Sequence, residues 1–394
     1  MNILLFVPEI NQEDGGMRQY AIALIHILAV DDTNKYFIYH DCGDEEIKKL
    51  LRVHPNLSLI KSSDVVDSDI TIWLNRVKRG VNFFRRRLGI RSNYFLPSTI
   101  DKLCIKYGID IIHCPYQYIP NTALAKRITT LHDVQEIHFP EFFTPEERAY
   151  RAVYYLQYMR EADRIIVSYE HVKRDLINYF AVPKEKIDVV LLNMNKLWVD
   201  QFSDKDIVDL ENLRLPFHYL LYPANTWRHK NHVRLLEAIA FLRDQKNIIV
   251  NIVFSGHLTE YYDTDVKKKV DLLDLHEQVL FLGVVDEITL YSLYRTCVGV
   301  VIPTLYEAGS FPLVESLLLG IPVVCSNVTS LPEMIGDESF TFNPVNLTDM
   351  AGKIKSLWES EAFRQQSICN ARLMEQKLRN TGALEKFLSL YQLL

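Results

Sequence analysis

Short continuous apolar runs alternate along this chain with longer stretches whose apolar residues recur at helical spacing. The runs read as buried parallel strands and the stretches as the helices that cover them. Asn2–Val7 is the first strand. A polar loop, Glu9–Asp14, leads from it to Gly15-Gly16 and to Met17–Leu28, where Ala21, Leu24, Ile25 and Leu28 share a helical face. Further strands are expected over Lys35–His40, Asp69–Leu74, Ile109–His113, Arg127–Leu131, Asp163–Ser168 and Lys186–Leu192, with helices over Asp44–Val53 and Asp175–Phe180. Asn193–Pro216 is polar, charged and weakly periodic, as an interdomain connection would be. The alternation then resumes with strands over Tyr219–Tyr222, Ile248–Phe254, Val279–Gly283, Val298–Ile302 and Val323–Ser326. Helices are expected over His232–Leu242, Leu290–Arg295, Thr348–Gln376 and Gly382–Leu394. Repeated strand–helix units predict an α/β protein built on parallel, Rossmann-like sheets.

Length and composition narrow this picture. At 394 residues the chain is too long for one ordinary core, so two domains are expected. A net charge of −6 offers no overall attraction for nucleic acid. The six cysteines (Cys42, Cys104, Cys114, Cys297, Cys325, Cys369) are scattered, without a C-x-x-C pair, and read as reduced thiols of a cytoplasmic protein. No apolar run approaches membrane-spanning length, and Met1–Phe6 is too short for a signal peptide.

The densest chemistry lies in Thr304–Leu319. An apolar strand ends at Pro303, a small-residue turn follows at Gly309-Ser310-Phe311, and an apolar helix runs from Pro312 to Leu319, stopped by Gly320. A turn between a strand's carboxyl end and a helix's amino end gathers free N–H groups and the positive end of the helix dipole, which suits an anion. Pro312 fits the first helical position, where its missing N–H costs nothing. Glu307 and Glu315 flank the turn. A carboxylate repels phosphate, so both point to neutral hydroxyls, as on a sugar or a ribose. The plainer alternative has Glu315 complementing the helix dipole and Glu307 solvated in a loop. Lys230 stands just before a helix, placed either to balance a diphosphate or as a surface lysine. His113 and His132 each end a strand, where side chains reach a cleft. Gly15-Gly16 lets backbone approach a ligand but is not the G-x-G-x-x-G fingerprint.

Arg76–Arg91 holds Lys78, Arg79, Arg85, Arg86 and Arg87 with no acidic residue, interleaved with Phe83, Phe84 and Leu88 and preceded by Trp73. That mixture suits an anionic membrane surface or lipid carrier; the alternative is a solvated basic helix whose aromatics pack inward. Asp67-Ser-Asp69 and Asp263-Thr-Asp265 are D-x-D triplets of a kind expected by chance in an acidic chain, and the second reads as a helix cap. No catalytic metal is expected.

Glu307-x7-Glu315, followed by Gly320-Ile-Pro-Val-Val and Ser330-Leu-Pro-Glu333, resembles the retaining GT-B glycosyltransferases of family 4. Where the family turn usually reads Glu-Gly-Phe-Gly, this chain has Glu307-Ala-Gly-Ser310. The resemblance implies two Rossmann-like domains facing across a cleft. It places an acceptor-side domain at 1–200, a nucleotide-sugar domain at 201–375, and a last helix, 376–394, packed back on the first domain. It also implies roles: His132 and Glu307 face the donor sugar, and Lys230 offsets the diphosphate. The Gly309-Ser310-Phe311 turn and the Gly16 loop lie near the phosphates, while Glu315 takes the ribose. Relatives carry an arginine where this chain has Asn225 and Thr226, with Arg228 the available substitute. The implied activity is transfer, with retention and without a protein nucleophile, of mannose or another hexose. The sugar passes from a nucleotide diphosphate sugar to a glycan or lipid-linked acceptor in cell-surface polysaccharide synthesis, at the cytoplasmic face of a membrane. The alternatives are a non-catalytic GT-B subunit of a polysaccharide assembly complex and a nucleotide-sugar epimerase.

Overall fold

A computed structural model describes residues 1–8, 15–41, 44–65, 69–87, 96–193 and 198–394. The expected loop Glu9–Asp14, Cys42, Asp67 and the end of the basic segment beyond Arg87 lie outside them.

Two wholly parallel sheets organise the chain. The first contains β1 (Asn2–Phe6), β2 (Lys35–Tyr39), β3 (Leu57–Ile60), β4 (Ile111–Cys114), β5 (Lys126–Thr130), β6 (Arg164–Val167) and β7 (Ile187–Val189) in the order 3-2-1-4-5-6-7. The second contains β8 (Leu220–Pro223), β9 (Ile252–Ser255), β10 (Val279–Phe281), β11 (Gly299–Ile302), β12 (Val323–Ser326) and β13 (Thr341–Phe342) in the order 10-9-8-11-12-13. Helices cover both faces, which is why β4, β9, β11 and β12 are buried along their whole length, His113, Ser255 and Ser326 included. In each sheet the order reverses once, between β1 and β4 and between β8 and β11. The loops leaving those strands diverge and open a crevice there.

Four expectations need correction. Asp69–Leu74 is not a strand but the start of the helix Asp69–Arg87. Its β-branched opening resembles a strand, yet Trp73, Val77, Val81 and Phe84 continue it at helical spacing, and β3 takes the sheet edge by pairing with β2. Trp73 and Phe84 are 62% and 65% exposed, so these two aromatics do not pack inward. Asp263-Thr-Asp265 is not a cap: it lies inside the π-turn Tyr262–Val266, which runs on into the helix Lys267–Leu272. The helix after the turn begins at Phe311, putting Pro312 one position further in than expected, where its missing N–H is still without consequence. The long carboxyl-terminal helix divides at Ser360 into Leu347–Glu359 and Glu361–Arg379, because the Ser360 hydroxyl accepts from the Phe363 N–H and caps a new start.

The chain crosses between the sheets twice. After β7 it leads through Leu191–Asn193 to the short turn Trp198–Gln201; after Arg379 it returns to the helix Ala383–Gln392. That helix buries Phe387, Leu390 and Tyr391 in the core of the first sheet, with Tyr391 Oη 2.8 Å from His113 Nδ1. The crossings are hooked together. Thr381 bonds the Leu191 carbonyl at 2.7 Å and also the Asn193 side chain, and Arg379 grips Asp200 at 2.7 Å.

Candidate active site

The reversal between β8 and β11 determines which loops meet. The loop leaving β8 carries His229 and Lys230, and the loop leaving β11 carries Thr304, Tyr306 and Glu307. The Leu305 N–H and the Thr304 hydroxyl both bond the His229 carbonyl, at 2.7 and 3.0 Å, stitching the loops together. Lys230 Nζ consequently lies 2.5 Å from Glu307 Oε1, with side chains only 17% and 8% exposed. Glu307 is held through its main chain: its N–H donates to Thr329 Oγ1 and its carbonyl accepts from the Ser330 hydroxyl, both at 3.1 Å. Burial and the adjacent Lys230 charge push His229 down to about 3, so it is neutral here.

The turn packs against the other domain. A Cβ added to Gly309 would stand 3.1 Å from the ring of Tyr169, which follows β6 of the first sheet yet is buried in the core of the second. A larger residue would crowd that ring, which would have to shift by a few tenths of an ångström. Ser310 occupies the cap position of the helix Phe311–Leu318 without making the cap bond, and its buried hydroxyl has no partner among the described residues. The helix closes at Gly320 (φ +65°).

Glu315 is buried in that helix. Its Oε1 accepts from Trp198 Nε1 and its Oε2 from Tyr294 Oη, both at 2.7 Å. Burial raises its pKa, against the pull of those two donors, which favour the carboxylate. His132, at the end of β5, points Nε2 at the Pro115 carbonyl (3.0 Å) and packs edge-on against Tyr20. Burial lowers its pKa, while Pro115 and Asp133 oppose the shift. In the neutral ring that bond assigns the proton to Nε2 and leaves Nδ1 as the acceptor.

A cavity of about 300 Å³ lies between the domains, lined by Tyr20, His132, Tyr169, Gly309, Ser310 and Phe311 among others. Four of the residues singled out in the sequence therefore share one cleft. Gly16 lies in the first turn of the helix Gly15–Ala29, which contributes Met17 and Tyr20 to the wall. Lys230 and Glu307 pair beside the turn, and Glu315 stands behind it. His113 is buried away from this cleft, among Phe387 and Tyr391. Arg228 stacks over Tyr261 at 5.3 Å and lines a separate shallow pocket. Tyr169, Trp198, Tyr294 and Tyr306 were not singled out in the sequence; their partners are distant in the chain, and no local motif marks them. Among the described residues no group of three or more His, Cys, Asp or Glu side chains is arranged to hold a metal ion, and no helix is long and apolar enough to cross a membrane.

Comparison with known proteins bears on the family and the fold. Residues 205–374 match the family model for glycosyl transferases group 1, and residues 36–191 match that for glycosyltransferase family 4. The chain is 24% identical to O-antigen chain mannosyltransferase B of Escherichia coli over 379 residues, 95% of each chain. It is 25% identical to O-antigen chain mannosyltransferase RfbU of Salmonella typhimurium over 257 residues, 65% of this chain and 67% of that one. The crystal structure of Anabaena Alr3699/HepE in complex with UDP and glucose superposes over the whole of both chains with a TM-score of 0.67 at 17% identity. With family models that together match most of the chain and with this shared fold, the chain is a glycosyltransferase enzyme and belongs to the GT-B glycosyltransferases of family 4.

Proposed function

We propose that this enzyme transfers mannose or another hexose, with retention, from a nucleotide diphosphate sugar to a glycan or lipid-linked acceptor in cell-surface polysaccharide synthesis. The observation that carries the reading is the convergence of a cation, a carboxylate and a helix amino terminus at one reversal of strand order. Lys230, Glu307 and the start of Phe311–Leu318 meet there, with the buried Ser310 hydroxyl unpartnered beside them. The O-antigen mannosyltransferases among the relatives support the hexose and the polymer.

In this reading the diphosphate lies across the Gly309–Phe311 turn, where main-chain N–H groups, the helix dipole and Lys230 stabilise the charge that grows as the sugar departs. Glu307 orients the sugar, and Glu315 takes the ribose hydroxyls. His132 faces the sugar from the opposite domain, neutral, with Nδ1 available to a hydroxyl. The Gly16 end of its helix approaches the phosphates. In this reading no protein side chain acts as a nucleophile: the departing phosphate oxygen takes the proton of the incoming hydroxyl on the face from which it leaves, which retains the anomeric configuration. Charge stabilisation by Lys230 and the helix end needs no divalent ion, so turnover is expected to persist in EDTA; abolition restored by magnesium would refute this.

The acceptor side meets the membrane. The helix Asp69–Arg87 exposes Trp73, Leu74, Val77, Val81 and Phe84 at helical spacing, among Arg76, Lys78, Arg79, Arg85 and Arg87. An exposed apolar stripe bordered by cations fits an anionic lipid surface.

A thermal-shift panel of nucleotide sugars tests the donor, since a ligand at one hundred times its Kd adds about 2.7 kcal/mol. Incubating the donor so found with glycan acceptors tests the reaction. A product bearing the donor's anomeric configuration is expected; isomerised donor without transfer would overturn the reading.

A further inference from the structure

The first crossing between the domains lines the cleft with Leu191, Leu192 and Asn193 and reaches Glu315 through Trp198. Its indole and the Tyr294 hydroxyl each deliver one 2.7 Å bond to Glu315, one to each carboxylate oxygen. Bonds of that length to an ionised carboxylate are the strong, charge-assisted kind. Glu315 otherwise lies among Leu313, Val314, Leu317 and Leu318, all buried, where an unsupported charge would be costly. Filling the core alone would require only two phenyl rings. Here both aromatics carry a hydrogen-bond donor, and both donors are used on the same carboxylate.

The indole is itself held firmly. It contacts Tyr294 and Phe202, and Phe202 packs on Tyr291. Two residues further on, Asp200 is gripped by Arg379 of the second crossing. A carboxylate has about four lone-pair sites. Two are taken by Trp198 and Tyr294, which leaves one on each oxygen, the arrangement that receives a vicinal diol. Val314, the residue before Glu315, lines the cleft.

We propose that Trp198 is a positioning residue for the donor: from the interdomain crossing it fixes the Glu315 carboxylate, with Tyr294, so that the remaining lone pairs meet the two ribose hydroxyls. The proposal rests on the ribose reading of Glu315 given above.

The test uses Trp198→Phe, which removes the donor and leaves a smaller aromatic ring, and Tyr294→Phe, which removes the donor and keeps the ring, each made in the wild-type and Glu315→Gln chains. Calorimetry with UDP and GDP gives affinity, and steady-state kinetics with the corresponding donor gives KM and kcat. Each single variant is expected to weaken the preferred nucleotide roughly tenfold and to raise donor KM with little change in kcat. In the Glu315→Gln chain the same substitution should add less than about twofold, because its effect passes through the carboxylate. Undiminished loss in that background would overturn the proposal. So would unchanged affinity in both phenylalanine variants while Glu315→Gln binds weakly. Unchanged affinity in Glu315→Gln itself would overturn the ribose reading, and this proposal with it. Tyr294→Phe keeps the test decisive if Trp198→Phe fails to fold.

Discussion

Glu307→Gln separates the two duties assigned to the Lys230–Glu307 pair. Both residues are anchored by main-chain bonds: Lys230 donates to Trp227 and accepts from Tyr222 Oη, each at 2.9 Å, while Thr329 and Ser330 hold Glu307. Exchanging the carboxylate for an amide of the same size therefore alters the side-chain bond and leaves the loops in place. Replacing a bond between two opposite charges by one between the ammonium and a neutral carbonyl removes the charge–charge attraction and weakens the pair by about 1 kcal/mol. A bound diphosphate has to draw the Lys230 ammonium away from Glu307, and the substitution lowers that cost. Nucleoside diphosphate is thus expected to bind roughly fivefold tighter to the variant. Turnover should instead fall more than about tenfold, because orientation of the sugar matters most as the anomeric bond breaks. Calorimetric affinity and kcat measured on the same preparation check both halves. Nucleotide binding that weakens in step with turnover would refute this division, as would full turnover in the variant.

Gly309→Ala should destabilise the fold by about 1–3 kcal/mol through overpacking against the buried Tyr169 ring, 3.1 Å from the new Cβ. A double-mutant cycle with Tyr169→Leu that shows no coupling would refute the contact. His171 has its affinity for protons lowered to about 4, first by burial and then by Arg174 and His138, against Asp133. Unfolded, it titrates near 6.5, so between those values the unfolded chain binds the extra proton. Its share of stability is complete above about pH 6.5 and falls by at most about 3 kcal/mol as pH drops towards 4. His171→Phe should reduce the difference in melting temperature between pH 7 and pH 5, leaving the shares of His113, His132, His229 and His232; an undiminished difference would contradict this. At the membrane, Trp73→Ser with Phe84→Ser should reduce cosedimentation with anionic vesicles at least about tenfold, and salt should weaken the wild type, each basic residue contributing about 1 kcal/mol. Unchanged cosedimentation would remove the membrane from the proposal.

The α/β class was legible because a strand covered on both faces has no polar side to present, so Val298–Ile302 stands out as an unbroken apolar run. The same logic misled at Asp69–Leu74, where a β-branched opening hid a helix whose stripe continues through Phe84, and the true edge strand Leu57–Ile60 passed unnoticed. An edge strand needs less apolar sequence because one side has no neighbour. At the site, the turn, both glutamates, Lys230 and His132 were local in their signal, each beside a strand end or a helix start. What joins them was not. The Lys230–Glu307 bond spans 77 residues and the Trp198–Glu315 bond 117, and pairings at such separations follow from strand order, which periodicity does not encode.

The helix Ala383–Gln392 carries a consequence for how the chain is made. A ribosome releases the first sheet early, yet Phe387, Leu390 and Tyr391, which complete its core, emerge only after the second sheet. Until then a strip of that core and the His113 ring stand open, while the whole second sheet is synthesised alongside. Domains generally fold as units from the amino end during synthesis, but this one must wait, exposed, for residues made after its partner. Chaperone dependence and sensitivity to loss of the helix Ala383–Gln392 should therefore register in the first domain, far in sequence from the deletion.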